Sequence, residues 1–298
     1  MENFALIAIA VVVGYILQKF KIFPEETSNI LNKYIIYISL PAIILLYVPK
    51  LTFSFDVLIP TIIAWLVMLS SAALVITASK VFSWTREVTG GILLVAILTN
   101  SSILGIPIIE LYLGKEALPY VLIYDQLGSF IALAVYGTFV TAYYSSSGKI
   151  HPRAIVHKIL TFPSFLALIV ALIFLGQEFN PLITSVLEKF AATLVPVALV
   201  AVGLQLQFKL PKNDLKPLSI ALFIKLVFAP LFAFLICYTF GWFNLAGIVS
   251  IFEAGMAPMI TAGAIASMAN LAPRLSVAIV GYGIIISFFT TYIISLFV

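Results

Sequence analysis

The chain has 298 residues, 63% of them hydrophobic and 9% charged, with a mean hydropathy of +1.19. No soluble domain of that length buries so much apolar surface, so the composition points to an all-α polytopic membrane protein with room for about ten spans of roughly 20 apolar residues each. The formal charge of +4 does not suggest a nucleic-acid partner, and the single cysteine, Cys237, lies in an apolar run, which excludes a disulfide framework and a thiolate metal site.

Ten spans are expected, here in chain order. Span 1 covers residues 4–17. Glu2 stands where a signal peptide would carry lysines, so this span is read as retained. A turn over 19–27 with Lys21 and Pro24 leads to span 2 at 30–48, which contains Pro41. Span 3 covers 55–79. Span 4, residues 90–113, reads GGILLVAILTNSSILGIPIIELYL and is long enough to cross a bilayer. Asn100, Ser101, Ser102, Gly105 and Pro107 interrupt its middle, and hydrocarbon cannot satisfy the backbone groups that such residues expose. Span 5 covers 118–144. The connector SSSGKIHP over 145–152 follows at the middle of the chain. Spans 6, 7 and 8 cover 155–175, 182–206 and 217–240. Span 9, within 244–270, is interrupted in turn by Glu253, Gly255 and Pro258. Span 10 covers 275–298. Two interrupted spans in matching places of the two halves are the sequence signature of a secondary transporter's binding site.

Basic residues sort by side. Lys19, Lys21, Lys33, Lys80, Arg86, Lys149, Arg153, Lys158, Lys209, Lys212, Lys216 and Arg274 fall on the side of the connectors after odd-numbered spans; Lys50, Lys115 and Lys189 fall on the other. Lys225 remains inside span 8. The bias places the first side in the cytoplasm and both termini outside the cell (inner or plasma) membrane. Five spans per half is an odd number, so two halves of one fold, residues 1–148 and 149–298, would be inserted in opposite directions as a 5+5 inverted repeat. Residues 18–34 (QKFKIFPEETSNILNKY) resemble residues 177–190 (QEFNPLITSVLEKF), and each stretch precedes a span with a central proline, Pro41 or Pro196.

Three motifs then carry a family resemblance. Asn100-Ser-Ser-Ile-Leu-Gly105-Ile-Pro107 is similar to the Asn-x-Gly-x-x-Gly-x-Pro crossover motif of the auxin efflux carrier family, with Ser102 in place of the first glycine. Glu253-Ala-Gly-Met256-Ala-Pro258 is similar to that family's Glu-Ala-x-Met-Pro segment, with Ala257 inserted. Leu40-Pro41-Ala42 is the third. Because the central connector is short, the chain resembles prokaryotic, malonate-carrier-like members and gives no ground for assigning auxin. The resemblance implies the fold shared with bile-acid sodium symporters and sodium/proton antiporters, with broken helices 4 and 9 crossing in an X. It implies a scaffold of helices 1, 2, 6 and 7, through which a homodimer forms, and an elevator-like transport domain of helices 3–5 and 8–10.

The chemistry expected at the crossing follows from helix ends. Carbonyls near Asn100 and Glu253 carry partial negative charge, and N–H groups near Pro107 and Pro258 carry partial positive charge, so an anion suits the latter and a cation the former. Substrate contacts are therefore expected from Asn100, Ser101, Ser102, Gly105, Pro107, Gly255, Met256 and Pro258; Asn100 alternatively braces the crossing. Ionisable residues inside a membrane cost at least about 2.5 kcal/mol each and mark function. Glu253 is assigned ion or proton coupling, or a bracing role as a neutral carboxyl. Asp125, a turn before Ser129 on one face, is a second carrier or the partner of Lys225, and Gln126 is expected to point elsewhere. Lys225 is a structural counter-ion or a charge released on substrate binding. His151 and His157 read as solvated connector residues, Glu110 and Glu116 as outer-surface residues, and Gly281 and Gly283 as packing positions. The function expected is secondary transport of a small organic anion, a carboxylate, with no enzymatic activity, no cofactor beyond a coupling H⁺ or Na⁺ (Na⁺ near Glu253 and Asn100) and no other metal. The rivals are a Na⁺-coupled symporter of the bile-acid type and a membrane receptor or scaffold that does not transport.

Overall fold

The computed structural model describes residues 2–24, 26–51, 54–145, 152–177, 179–206 and 214–297. The boundary at 148/149, Lys149, His151, Lys209 and Lys212 lie outside the described residues. In chain order the helices are α1 (Glu2–Lys19), α2 (Thr27–Lys50), α3 (Phe55–Val81), α4 (Arg86–Val95), α5 (Ser101–Leu113), α6 (Lys115–Tyr144), α7 (Pro152–Leu160), α8 (Pro163–Ile173), α9 (Pro181–Gln205), α10 (Leu215–Phe240), α11 (Leu245–Ala254), α12 (Ile260–Met268) and α13 (Pro273–Ile294). Six of these, α2, α3, α6, α9, α10 and α13, are long and apolar enough to cross a membrane, and shorter apolar helices accompany them. Large apolar side chains such as Ile173, Leu182, Leu231 and Phe289 stand exposed on the outside, as hydrocarbon requires, while polar groups gather within.

Prolines explain much of the local geometry. In α2, α5 and α10 the backbone widens to π-helical turns at Ile35–Ser39, Ser101–Gly105 and Ile224–Phe228, each ending two residues before Pro41, Pro107 or Pro230. Proline offers no N–H and its ring crowds the carbonyl four residues back, so the ladder slips by one residue there. The widened turns free carbonyls for other partners: the Ser164 hydroxyl donates to the Ile36 carbonyl at 3.0 Å, tying α8 to α2. Thr193, at a kink in α9, donates its hydroxyl proton to Phe190 O at 2.6 Å and so accepts from Tyr34 and Ser39 of α2. Expected span 6 divides into α7 and α8. Phe162 is extended (ψ 121°) ahead of Pro163, as the residue before a proline tends to be.

Helices α1, α2, α8 and α9 pack on one another, and α1 meets α9 backbone to backbone at Gly14 and Gly203. A Cβ on Gly14 would sit 2.9 Å from the Gly203 Cα. Gly14→Val is therefore expected to force these helices apart and cost about 1–3 kcal/mol, read as a lower unfolding temperature in detergent.

The remaining helices form a second packed group in which α12 lies against α4, and α11 against α3 and α10. Helix α4 starts at the N-cap Thr85, whose side chain accepts from Val88 N, and α11 at the N-cap Asn244, which accepts from Gly247 N at 3.1 Å. α-Helical backbone stops after Val95 and again after Ala254; helix resumes at Ser101 and at Ile260. Between these ends the two segments pair with each other. Thr99 and Pro258 form an isolated antiparallel bridge, Asn100 N donates to Ala257 O at 3.0 Å, and Met259 N donates to Leu98 O at 2.9 Å. Non-helical backbone inside a membrane protein survives only where such partners exist.

Candidate functional site

Three buried ionisable groups gather around the paired interruptions: Glu253 of α11, Asp125 of α6 and Lys225 of α10. Glu253, fully buried, closes α11 one residue before the helix ends. Its carboxylate fills the space that a side chain at Gly105 would take, with the Glu253 Cδ only 2.8 Å from where a Gly105 Cβ would stand. That is the physical reason for glycine at 105. Neither Glu253 oxygen has a hydrogen-bond partner among the described residues, and the Asn100 amide nitrogen is likewise unpartnered there. Three buried polar atoms without donors or acceptors, so close to one crossing, are costly unless they serve a ligand or an ion.

The other two charges are fully engaged. Ser101 donates to Asp125 Oδ1 at 2.5 Å, Ser102 donates to the same oxygen, and Gln126 Nε2 donates to Oδ2 at 2.6 Å. Lys225, 1% exposed, donates to Thr99 Oγ1 at 2.6 Å and to the Ala254 carbonyl at 3.1 Å. The ammonium thus caps the carbonyl end of α11 and grips the bridge residue of the first interruption at once, a favourable place for a cation at a helix C-terminus. It does not bond to Asp125, so the pairing of Asp125 with Lys225 gives way to separate partners.

Gln126 does not point elsewhere; it is a ligand of Asp125. Both residues lie in a π-helical turn over Tyr124–Phe130, and the Gln126 side chain is long enough to fold back onto its neighbour. Ser129, buried in the same turn, lines with Thr99 and Tyr124 a water-sized cavity of about 20 Å³. Met256 is buried in the apolar core, and Pro258 packs against Gly283, whose missing side chain makes room for the ring. Thr99 and the Ala254 carbonyl are site groups that the sequence reading missed. Pro107 is not at a helix N-terminus as expected: it lies inside α5, six residues past its start, and lines a cavity with Glu110 and Glu188.

Two cavities flank the crossing. One, of about 700 Å³, is lined by Pro107, Glu110 and Leu111 of α5, by Ile43, Leu46 and Tyr47 of α2, and by Glu188 to Pro196 of α9. The other, of about 760 Å³, is lined by Ile260, Gly263, Ala264 and Ser267 of α12, Gly281 of α13, Lys21, Ser28 and Asn29 around the start of α2, and Gln205 at the end of α9. Both therefore use opposite ends of the same two helices, α2 and α9, and each uses the second half of one interrupted span. Glu110 belongs to the first cavity rather than to the outer surface alone, and Gly281 lines the second as well as packing. Lys115 shares the first cavity with Glu110 and Glu188, and Lys50 lies over the ring of its Tyr47 at 5.0 Å, so two of the three minority-side lysines gather at one end and Lys21 at the other.

Residues 1–295 match the family model described as membrane transport protein, the auxin efflux carrier-like family. The chain belongs to that family. Two archaeal relatives of this membrane transport protein are each described as an uncharacterized transporter. The one from Methanocaldococcus jannaschii is 28% identical over 243 residues, 78% of either chain. The one from Methanothermobacter thermautotrophicus is 25% identical over 275 residues, 89% of this chain and 87% of its own. The match over nearly the whole chain makes the interrupted segments and the charges between them part of a transport protein.

Proposed function

We propose that the chain is a secondary active transporter of a small organic anion, a carboxylate, built as ten spans in two oppositely inserted five-helix repeats. Helices α1, α2, α8 and α9 serve as the scaffold, and the group carrying both interruptions moves against it between two faces of the membrane. The observation that carries this reading is the pairing of the two interruptions at Thr99 and Pro258, with the second half of each interrupted span lining its own cavity and both cavities sharing α2 and α9. Sliding the paired interruptions along the α2–α9 face would expose them to one cavity at a time. The substrate contacts are Asn100, with its unpartnered amide nitrogen, and the N–H ends of the second half-helices, at Ser101 and at Ile260 just past Pro258.

Coupling rests on Glu253. Its oxygens lack donors among the described residues, whereas the Asp125 oxygens have three and Lys225 caps carbonyl and hydroxyl. A proton, or a Na⁺ shared with Asn100, completes Glu253; Lys225 already supplies a fixed cation where the α11 carbonyl end attracts one. Reconstituted protein is expected to accumulate a labelled small dicarboxylate against its gradient when a pH gradient is applied. Glu253→Gln is expected to abolish accumulation while leaving downhill exchange. Accumulation in Glu253→Gln equal to the wild type overturns the coupling role, and accumulation driven by Na⁺ at constant pH moves the reading to a Na⁺ symporter. Absence of any flux from a folded, thermally shifted protein would make it a receptor.

A further inference from the structure

A third recess lies away from the crossing. It holds about 350 Å³ and opens between α10 and α13, with Ile251 of α11 at its floor. That volume falls in the range of small-ligand pockets, roughly 300–1,000 Å³. Leu226 lies at one end and Phe297 at the other, with Pro230 and Ile294 between. The one hydroxyl on its wall, Thr290, already donates within α13, to Ile286 O and Ser287 O. The recess therefore offers a polar solute no recognition. Its rim is continuous with the lipid-facing surface: Leu231, Ile293 and Phe297 are all more than half exposed. At that depth water has no partners, and an apolar hollow left empty forfeits dispersion contacts along its whole lining.

The floor of the recess touches the second interruption. A Cβ on Gly255 would stand 2.5 Å from Ile294 Cδ1 and 3.3 Å from Pro230 Cβ, so the two side chains that wall the recess also close over Gly255. Helix α13 holds the same interruption from its other end, where Gly283 receives Pro258. We propose that the recess binds one acyl chain of a bilayer lipid, which presses Pro230 and Ile294 onto Gly255 and so sets how readily the second interruption moves. The site would make the protein responsive to the acyl chains around it, independently of which solute it carries.

The test uses the full chain in lipid nanodiscs doped with a phosphatidylglycerol bearing a diazirine midway along one acyl chain. After irradiation, adducts mapped by mass spectrometry are expected to concentrate several-fold on residues 226–234 and 290–297 over the peptide around Leu69, which is exposed to lipid on α3 without a recess. Val227→Trp, at the rim, is expected to reduce these adducts to the Leu69 level. It is also expected to erase the difference in unfolding temperature between nanodiscs of saturated and unsaturated lipid. Leu231→Trp serves the same purpose should Val227→Trp not fold. Equal labelling at both places, labelling indifferent to the tryptophan, or an unchanged lipid dependence of unfolding overturns the proposal.

Discussion

Gly105→Ala is expected to reduce gradient-driven uptake to near background while leaving a folded protein. One methyl group has this effect because of what occupies the space. The added Cβ would meet the Glu253 carboxylate, with Cδ at 2.8 Å and Oε2 at 2.9 Å. A carboxylate ends a flexible chain and can give way, so the stability cost is that of modest overpacking, about 1–3 kcal/mol. Giving way moves a buried acid that has no hydrogen-bond donor among the described residues, and with it the group assigned to coupling. A double-mutant cycle separates the two effects. Gly105→Ala with Glu253→Ala removes the clash, so unfolding temperature is expected to return toward that of Glu253→Ala alone, a non-additivity of about 0.5–3 kcal/mol for groups in contact. Uptake is expected to stay absent. If Gly105→Ala transports like the wild type, the position of the Glu253 carboxylate does not matter and the coupling role fails.

The sequence was most legible where the bilayer makes a residue expensive. Asn100, Ser101, Ser102 and Pro107 inside one apolar run, and Glu253 and Pro258 inside another, cost too much in hydrocarbon to be incidental; regular helix is missing over 96–100 and 255–259, which takes in Asn100 and Pro258 and leaves Ser101, Ser102, Pro107 and Glu253 in helix. Lys225 and Asp125 stood out for the same reason. What the residues did not disclose was partnership. Thr99 is an unremarkable threonine in an apolar stretch until a lysine 126 positions away bonds to it. Gln126 meets Asp125 by folding its own long side chain back on its neighbour, which helical periodicity does not register, and no proline marks that π-helical turn as Pro41, Pro107 and Pro230 mark theirs. The two cavities were equally hidden, since Glu110 and Glu188 share a wall only once α5 and α9 are packed. The split of span 6 had a local signal in Pro163, which the surrounding apolar run obscured.

Lys225→Met is expected to destabilise the protein by about 3–5 kcal/mol, the usual cost of removing one charge from a buried, compensated set. Methionine keeps most of the volume and spares the ammonium its desolvation, so a purely steric view predicts little change or even a gain. Two facts decide against that view. The Ala254 carbonyl, at the end of α11, loses a donor at 3.1 Å, and Thr99 loses its link to the other interruption at 2.6 Å. Glu253, next to that carbonyl in the chain, also loses the positive charge held beside it. Removing a second charge should then restore what removing the first cost. Lys225→Met with Glu253→Gln is expected to regain most of the lost unfolding temperature, since uncharged replacements of a whole buried set are close to neutral. The double variant is nevertheless expected to remain unable to accumulate substrate, because the group that takes up the coupling ion is gone. Thermal unfolding and uptake measured on the same reconstituted preparations read both arms. A Lys225→Met protein as stable as the wild type, or a double variant no more stable than the single one, would show that the ammonium neither braces the two interruptions nor balances Glu253. The two interruptions would then be held by their backbone pairing through Thr99, Asn100, Ala257 and Pro258 alone.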